Sequence, residues 1–505
     1  MFYRIHSAAV SGLTGVLLEI ECYVSGGLPN FTVVGIPPSH GAACRERIRS
    51  ALKNAGFTLP PSRITINIRS KDQLLTPDTS SLSALDLPVA LTILACERQI
   101  PTDLLDQAVW LGEFGLDGSI KPLYGALCMT RTAKRDLPSV NSIFLPLVNA
   151  PEAALFPGLP VYGISSLQET VDLLRSHNLP KPAVPVQRPP VAQVSGFDLI
   201  KGQQTAKRVM TIAAAGMHNM LMIGPPGCGK TMLAHELPAL LPPLTYEEKL
   251  ELTEIYSNSQ LLSVSEGMIH DRPFRQPHHS TTSIALIGGG NIPKPGEITL
   301  SHHGVLFLDE LPEFARGAIE SMREPLEEHR VRISRISGTF TYPADFLLAA
   351  AMNPCPCGHY PDRDLCHCSE TRIKAYYEKI KSPLFDRIDL IVTLKPVTTA
   401  DIRTQTEFTY QKALDLVSKA HQAQERRFGQ KGCYNSRMST EELEKYTVLD
   451  EECHLFTEQA MSRYHLSMRG YHKILKVART LADMEGSEKI RLCDLAEALQ
   501  YRSIL

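Results

Sequence analysis

The chain has 505 residues, with 52 basic against 54 acidic side chains, a formal net charge of −2 and 43% hydrophobic residues. That length predicts about three or four domains with sizeable cores, and the balanced charge excludes a general electrostatic pull towards nucleic acid, leaving any such binding to local basic surfaces. No apolar run reaches the roughly eighteen residues that span a bilayer, and the N-terminus has no basic segment followed by an apolar core and cleavage site, so a cytoplasmic protein without a membrane partner is expected.

In chain order, the first clear boundary is a linker at 179–195, where five prolines leave little capacity for helix. It separates an N-terminal domain, 1–178, from the remainder of the chain. Gln203 to Ala215 reads as a helix that feeds the apolar strand Met220-Leu221-Met222-Ile223. Directly behind that strand stands Gly224-Pro225-Pro226-Gly227-Cys228-Gly229-Lys230-Thr231, with helix-like sequence from about Thr231 onward. Strand, glycine-rich turn and helix in this order make a phosphate-binding loop. The glycines let successive backbone N–H groups point at phosphate oxygens, Lys230 reaches the β and γ phosphates, and Thr231 offers its hydroxyl to Mg²⁺.

Residues 272–298 are rich in His, Pro and Gly and carry Arg272, Arg275 and Lys294. Next comes Val305-Leu306-Phe307-Leu308, a fully apolar run ending in Asp309-Glu310. Such a run is expected of a buried parallel strand whose carboxyl end opens onto the site. Asp309 then holds Mg²⁺, directly or through water, and Glu310 orients and polarises the attacking water. Residues 330–343 have a hairpin signature: Val331, Ile333 and Ile336 alternate ahead of Ser337-Gly338, leaving Arg330, Arg332 and Arg335 partly on the other face. Phe346 to Met352 reads as a strand ending at Asn353, placed to hydrogen-bond the γ-phosphate or the lytic water.

Twelve cysteines without a secretory signal suggest metal binding or buried thiols rather than a disulfide framework. Cys355, Cys357, Cys366 and Cys368 form two close pairs that suit tetrahedral Zn²⁺ in a structural site; His359 or His367 could replace a thiolate, and reduced or redox-paired thiols are the other reading. The α/β core runs from 196 to about Pro396. Residues 397–505 turn helical: Met468, Tyr471, Ile474, Leu475, Ala478, Leu481 and Ala482 repeat at helical spacing before Gly486, and Leu495, Ala496 and Leu499 suggest a last short helix. No repeat of 20–50 residues and no low-complexity tract interrupts this layout.

Together these segments resemble an AAA+ ATPase, and the finer wording is similar to the magnesium-chelatase-like ComM/YifB family. The resemblance spans nearly the whole chain and rests on Gly224–Thr231, Arg272-Pro273-Phe274-Arg275-Gln276-Pro277-His278-His279, Gly288-Gly289-Gly290, Pro295-Gly296-Glu297-Ile298, Gly304–Glu310, Asn353-Pro354-Cys355-Pro356-Cys357-Gly358, Ser382–Leu390 and Leu466–Thr480. It implies a P-loop parallel-sheet core with an α-helical lid, ATP and Mg²⁺ as cofactors, Arg387 as an arginine finger for the neighbouring subunit's ATP, and Arg469 as a lid arginine sensing nucleotide from its own chain. A finger acting in trans implies a ring, typically a homo-hexamer. The implied activity is ATP hydrolysis coupled to DNA translocation or unwinding. Its setting is branch migration while incoming single-stranded, forked or branched DNA is integrated during natural transformation, alongside recombination proteins. In related rings the two inserts line the central channel, which makes Arg272, Arg275, Lys294, Arg330, Arg332 and Arg335 candidates for the DNA backbone; a solvated hairpin face neutralised by Glu324, Glu327 and Glu328 is the plainer alternative. A magnesium-chelatase motor subunit acting on a protein or porphyrin partner is the rival function, and a non-catalytic binding module a third.

Residues 1–178 resemble the Lon-protease-type α+β domain of the family, which raises peptidase activity. The nucleophilic serine position falls on Val89 and the lysine base position on Cys128, so neither catalytic group is present. The stretch Asn67-Ile68-Arg69-Ser70-Lys71-Asp72 and Leu74-Leu75-Thr76-Pro77-Asp78-Thr79 departs from the usual family wording.

Overall fold

The computed structural model describes the chain apart from residues 71–80, 187–194, 263–266, 291–293, 336–337, 382–383, 399–400, 402–407 and 503–505. The divergent stretch from Lys71 to Thr79, residues 187–194 of the proline-rich linker, Ile336, Ser337, Ser382 and Pro383 therefore lie outside the described residues.

The N-terminal domain is built on a seven-stranded mixed sheet. Its strand order is Asn30–Val34, Arg63–Ser70, Thr14–Ser25, Phe2–Ser11, Ala108–Trp110, Ser142–Pro146 and Val161–Ile164. Side chains alternate across it, as the two-residue period of a strand requires: Leu18 and Ile20 face helices Pro38–Asn54 and Asp86–Cys96, whereas Ala8 and Leu17 face helix Ala126–Asp136. Val89 is fully buried inside the helix Asp86–Cys96. Cys128 is buried as well, with its thiol 3.4 Å from the Leu13 carbonyl oxygen, and burial pushes that thiol up to about 12. A neutral thiol in a core can act neither as base nor as nucleophile.

The second sheet is parallel, in the order Phe274–Arg275, Val305–Leu308, Leu347–Met352, Met220–Ile223 and Leu390–Thr393. Its central runs are apolar throughout because both faces are covered: Met220 and Met222 enter one core, Leu221 and Ile223 the other. Parallel register brings Ile223, Leu308 and Met352 to one edge. Among the described residues five helices follow, Tyr410–Phe428, Thr440–Tyr446, Glu451–Tyr464, Met468–Glu485 and Leu492–Gln500. Helix Met468–Glu485 starts on a Ser467 cap and ends at Gly486, whose φ of +74° suits glycine. It docks on the amino-terminal edge of the sheet, where Lys473 Nζ donates to the Ile388 carbonyl at 3.1 Å and pairs with Asp389 at 2.7 Å.

The hairpin forms from Arg330–Arg335 and Gly338–Pro343, with Val331 and Ile333 buried beside Phe340 and Tyr342. It packs on the N-terminal domain: a Cβ at Gly12, in the turn between the first two strands, would stand 2.9 Å from Tyr342 Oη and 3.0 Å from Phe340 Cδ1.

A second junction joins helix Ala126–Asp136 to helix Tyr246–Asn258. Ser257 Oγ donates to Glu152 Oε1 at 2.6 Å, the Tyr246 hydroxyl donates to the Leu155 carbonyl, and Arg131 reaches Glu254 Oε2 at 3.3 Å. Among the described residues Glu254 Oε1 is buried without a partner. Burial, outweighing Arg131, pushes this carboxyl from 4.5 up to about 7. Across that window the folded chain keeps a proton that the unfolded chain has lost, so the stability of the folded state falls as pH rises through it. Glu254→Gln is expected to melt a few degrees above the parent at pH 8 and level with it near pH 5; parallel melting curves at both pH values would refute the assignment.

Candidate ATPase site

The phosphate loop leaves the carboxyl end of the buried strand Met220–Ile223. Gly227 and Gly229 have φ of +76° and +91° with open space where a Cβ would go, so backbone conformation rather than crowding selects glycine there. Cys228 tucks its side chain underneath, buried in the core. Lys230 Nζ donates to the carbonyls of Gly224 at 2.8 Å and Pro225 at 3.0 Å and to Asn353 Oδ1 at 3.1 Å. Thr231 Oγ1 donates to Asp309 Oδ2 at 3.0 Å. These contacts join three strand ends: the loop after Ile223, the acidic pair after Leu308 and the asparagine after Met352.

Glu310 sits in the left-handed region at φ +52°, half exposed, with its N–H donating to Asp309 Oδ1 at 2.9 Å. That conformation is costly for a non-glycine residue, and it turns the two carboxylates apart. Asp309 faces Thr231, while Glu310 lies 3.2 Å from His279 Nδ1. His279 is a partner that sequence reading does not assign to this site, because most of an insert separates it from the acidic strand along the chain. Gln203 is another: its amide donates to the carbonyls of Cys228 at 3.2 Å and Lys395 at 2.7 Å, tying the phosphate loop to the exit of the last core strand. Lys230, Thr231, Asp309, Glu310 and Asn353 thus form one cluster able to hold a triphosphate, a hard divalent cation between Thr231 and Asp309, and a water before Glu310.

Arg387 and Arg469 stand elsewhere. Both line a cavity of about 350 Å³ with Asn219, Asp389, Arg437, Lys473 and Lys476. Asn219 Nδ2 donates to the Arg387 carbonyl at 3.1 Å, which fixes Arg387 to the amino-terminal edge of the sheet, a strand length of about 10 Å from the phosphate loop. Arg387 is 8% exposed and its guanidinium is held by Glu327. Although burial opposes charge on Asp389, Lys473 and His218 hold its carboxyl well below the usual range. Arg469, expected to sense its own chain's nucleotide, lies in this cavity because the lid helix docks on the far edge of the sheet from that chain's loop.

Two basic residues expected at DNA are structural. Arg272 is buried, donating to the carbonyls of Pro242 at 2.6 Å and His303 at 2.5 Å, and Arg275 forms a two-pronged pair with Glu297 at 2.7 and 2.8 Å. The donors of Arg272 are spent on backbone either side of the insert, and those of Arg275 on the insert itself. Arg330 and Arg332 are partly exposed and lean on Glu328 at 2.8 and 3.1 Å, solvent-screened surface pairs that a phosphate can displace. Lys294 is exposed, and the side chain of Arg335 lies outside the described part.

Among the described residues no helix is long and apolar enough to cross a membrane. The families described as magnesium chelatase, subunit ChlI, match residues 196–402 and, for its C-terminal part, 410–502; subunit ChlI of Mg-chelatase matches residues 20–149. The competence protein ComM of Haemophilus influenzae is 38% identical over 511 residues, covering 99% of this chain and 97% of its own. The protein YifB of Salmonella typhimurium is 37% identical over 501 residues with the same coverage. Lon protease 2 of Bacillus subtilis is 26% identical over 176 residues, 32% of this chain and 30% of its own. With a phosphate loop, an acidic strand end and a matching asparagine assembled on a parallel sheet, and with full-length similarity of this degree, the chain belongs to the ComM/YifB family of magnesium-chelatase-like AAA+ ATPases.

Proposed function

We propose that this protein is an ATP-driven DNA translocase or helicase that works in the cytoplasm as a ring of identical copies, typically six. It promotes branch migration as incoming DNA is integrated, the role that the family resemblance implies; a relative named as a competence protein supports that setting. The observation that carries this reading is the division of the ATP site across the sheet. Lys230, Thr231, Asp309, Glu310 and Asn353 gather at the carboxyl edge, and the cationic pair Arg387 and Arg469 at the opposite edge. Charge on a γ-phosphoryl group in flight needs a cation beside it, and only another copy can bring these arginines to this chain's loop. ATP and Mg²⁺ are the cofactors, and zinc suits the four cysteines beside the loop.

On this reading residues 196–396 are the motor and 397–505 the lid. The hairpin arginines Arg330 and Arg332, with Lys294, touch phosphates without reading sequence. The domain at 1–178 serves assembly or substrate contact rather than proteolysis, since Val89 and Cys128 leave no nucleophile and base. The second reading, a chelatase motor acting on a protein or porphyrin partner, draws on the chelatase families matched along the chain. Strand displacement on a forked, fluorescently labelled DNA with ATP separates the two. The parent is expected to unwind it and Lys230→Ala to fail; equal activity in both proteins rejects the motor, and ATP hydrolysis indifferent to DNA favours the chelatase.

A further inference from the structure

Between Met352, where a central strand ends, and Glu370, where a helix begins, the chain forms no helix or strand. In place of a conventional core this loop has sulfur. Cys355, Cys366 and Cys368 are buried together with Ile373, and Tyr360 and Tyr377 close the edge. Cys355 and Cys357 Sγ lie 3.3 Å apart, and Cys366 Sγ is 3.6 Å from each. With Cys368, all four sulfurs fall within 4.8 Å of one another. Four thiolates around Zn²⁺ at about 2.3 Å stand about 3.8 Å apart, so the quartet is already close to a coordination tetrahedron. The Tyr360 N–H donates to Cys355 Sγ at 3.4 Å, the kind of outer contact that orients a ligand. His359 and His367 do not join the group.

A second cluster, Glu251, His302 and His303, does not make the same case. His302 Nδ1 accepts the Asp345 N–H at 3.0 Å, so Nε2 carries the proton and faces Glu251 as a donor rather than as a metal ligand.

The cysteine loop touches the ATP site at two places. It opens with Asn353, which accepts from Lys230 Nζ. Gly358, just beyond Cys357, has φ +86° and lies so close to the phosphate loop that a Cβ there would stand 2.7 Å from Pro226 Cδ. A loop with so small an apolar core gains its order from cross-links. We propose that Cys355, Cys357, Cys366 and Cys368 hold one zinc ion that braces Pro226 and Asn353, so that metal occupancy sets the affinity of the site for nucleotide. The coupling rests on the ATPase reading; the metal site does not.

The test uses the full-length chain, purified reduced. One zinc per chain is expected by elemental analysis, and Co²⁺ in its place is expected to give the thiolate charge-transfer and tetrahedral ligand-field bands of a four-sulfur site. Stripping the metal with a chelator is expected to weaken binding of a fluorescent ATP analogue roughly tenfold or more, with recovery on adding Zn²⁺. Cys366→Ser is expected to lose both metal and affinity. Gly358→Ala, which spares every ligand, is expected to keep one zinc per chain and still bind the analogue more weakly. A reduced chain that takes up no metal, or zinc-free protein and Gly358→Ala that both bind the analogue like the loaded parent, overturns the proposal and leaves the ATPase reading standing. A zinc-loaded chain that binds no nucleotide overturns the ATPase reading, and the coupling with it.

Discussion

Glu310→Gln is expected to bind ATP as the parent does and to hydrolyse it at least about a hundredfold more slowly. The separation of effects follows from geometry. Binding rests on the phosphate loop, on Lys230 and on the Thr231 and Asp309 pair, none of which hydrogen-bonds the Glu310 carboxylate. The glutamate is turned away from that pair by its left-handed backbone and is the half-exposed group placed to face a water. Glutamine keeps the shape but cannot accept a proton. Filter binding with labelled ATP, followed by single-turnover hydrolysis in the same preparation, measures both quantities. Undiminished hydrolysis would remove Glu310 from catalysis, and lost binding would make its role structural. Lys230→Ala should behave differently and lose binding, because the same amine spans Gly224, Pro225 and Asn353.

Arg387→Ala is expected to cost about a thousandfold or more in turnover while ATP still binds. The side chain is poised rather than engaged: its guanidinium is held by Glu327, which is itself 43% exposed and loses little when left alone. To serve a neighbour's phosphate, Arg387 must exchange one carboxylate for another anion. A mixing experiment isolates action in trans. Arg387→Ala and Lys230→Ala are each expected to be nearly inactive. Mixed rings should recover part of the turnover, since some junctions then join an intact loop from one variant to an intact arginine from the other. Unchanged turnover in Arg387→Ala, or full activity in a chain that stays monomeric with ATP and DNA, would break the assignment.

Much of the site is legible in the sequence because its residues come directly after short apolar strands. Met220–Ile223, Val305–Leu308 and Leu347–Met352 each announce themselves as buried on both faces, and parallel pairing then brings Lys230, Asp309 and Asn353 to one edge. The cysteine spacing announces a cluster in the same way. What sequence does not yield depends on packing across long separations. His279 meets Glu310 only through the fold of the insert, and Gln203 reaches Lys395 across nearly the whole core. Arg272 and Arg275 look like a basic surface because charge shows in a sequence, whereas the carbonyls and the Glu297 that absorb it do not. The family resemblance puts Arg469 with its own chain's nucleotide, whereas the fold sets it beside Arg387, and a helical run shows its apolar face without showing which edge of the sheet that face covers.

The turn at Gly12 rests against Phe340 and Tyr342 with no room for even a methyl group. Close-packed interiors do not stretch, so a hairpin that travels by more than a fraction of an ångström must either shed that contact or drag the amino-terminal sheet with it. On the proposed translocase reading, the degenerate peptidase fold becomes mechanical ballast on the stroke, stiffening the arm that carries Arg332, and loosening it at Gly12 would change step size before it changed ATP consumption.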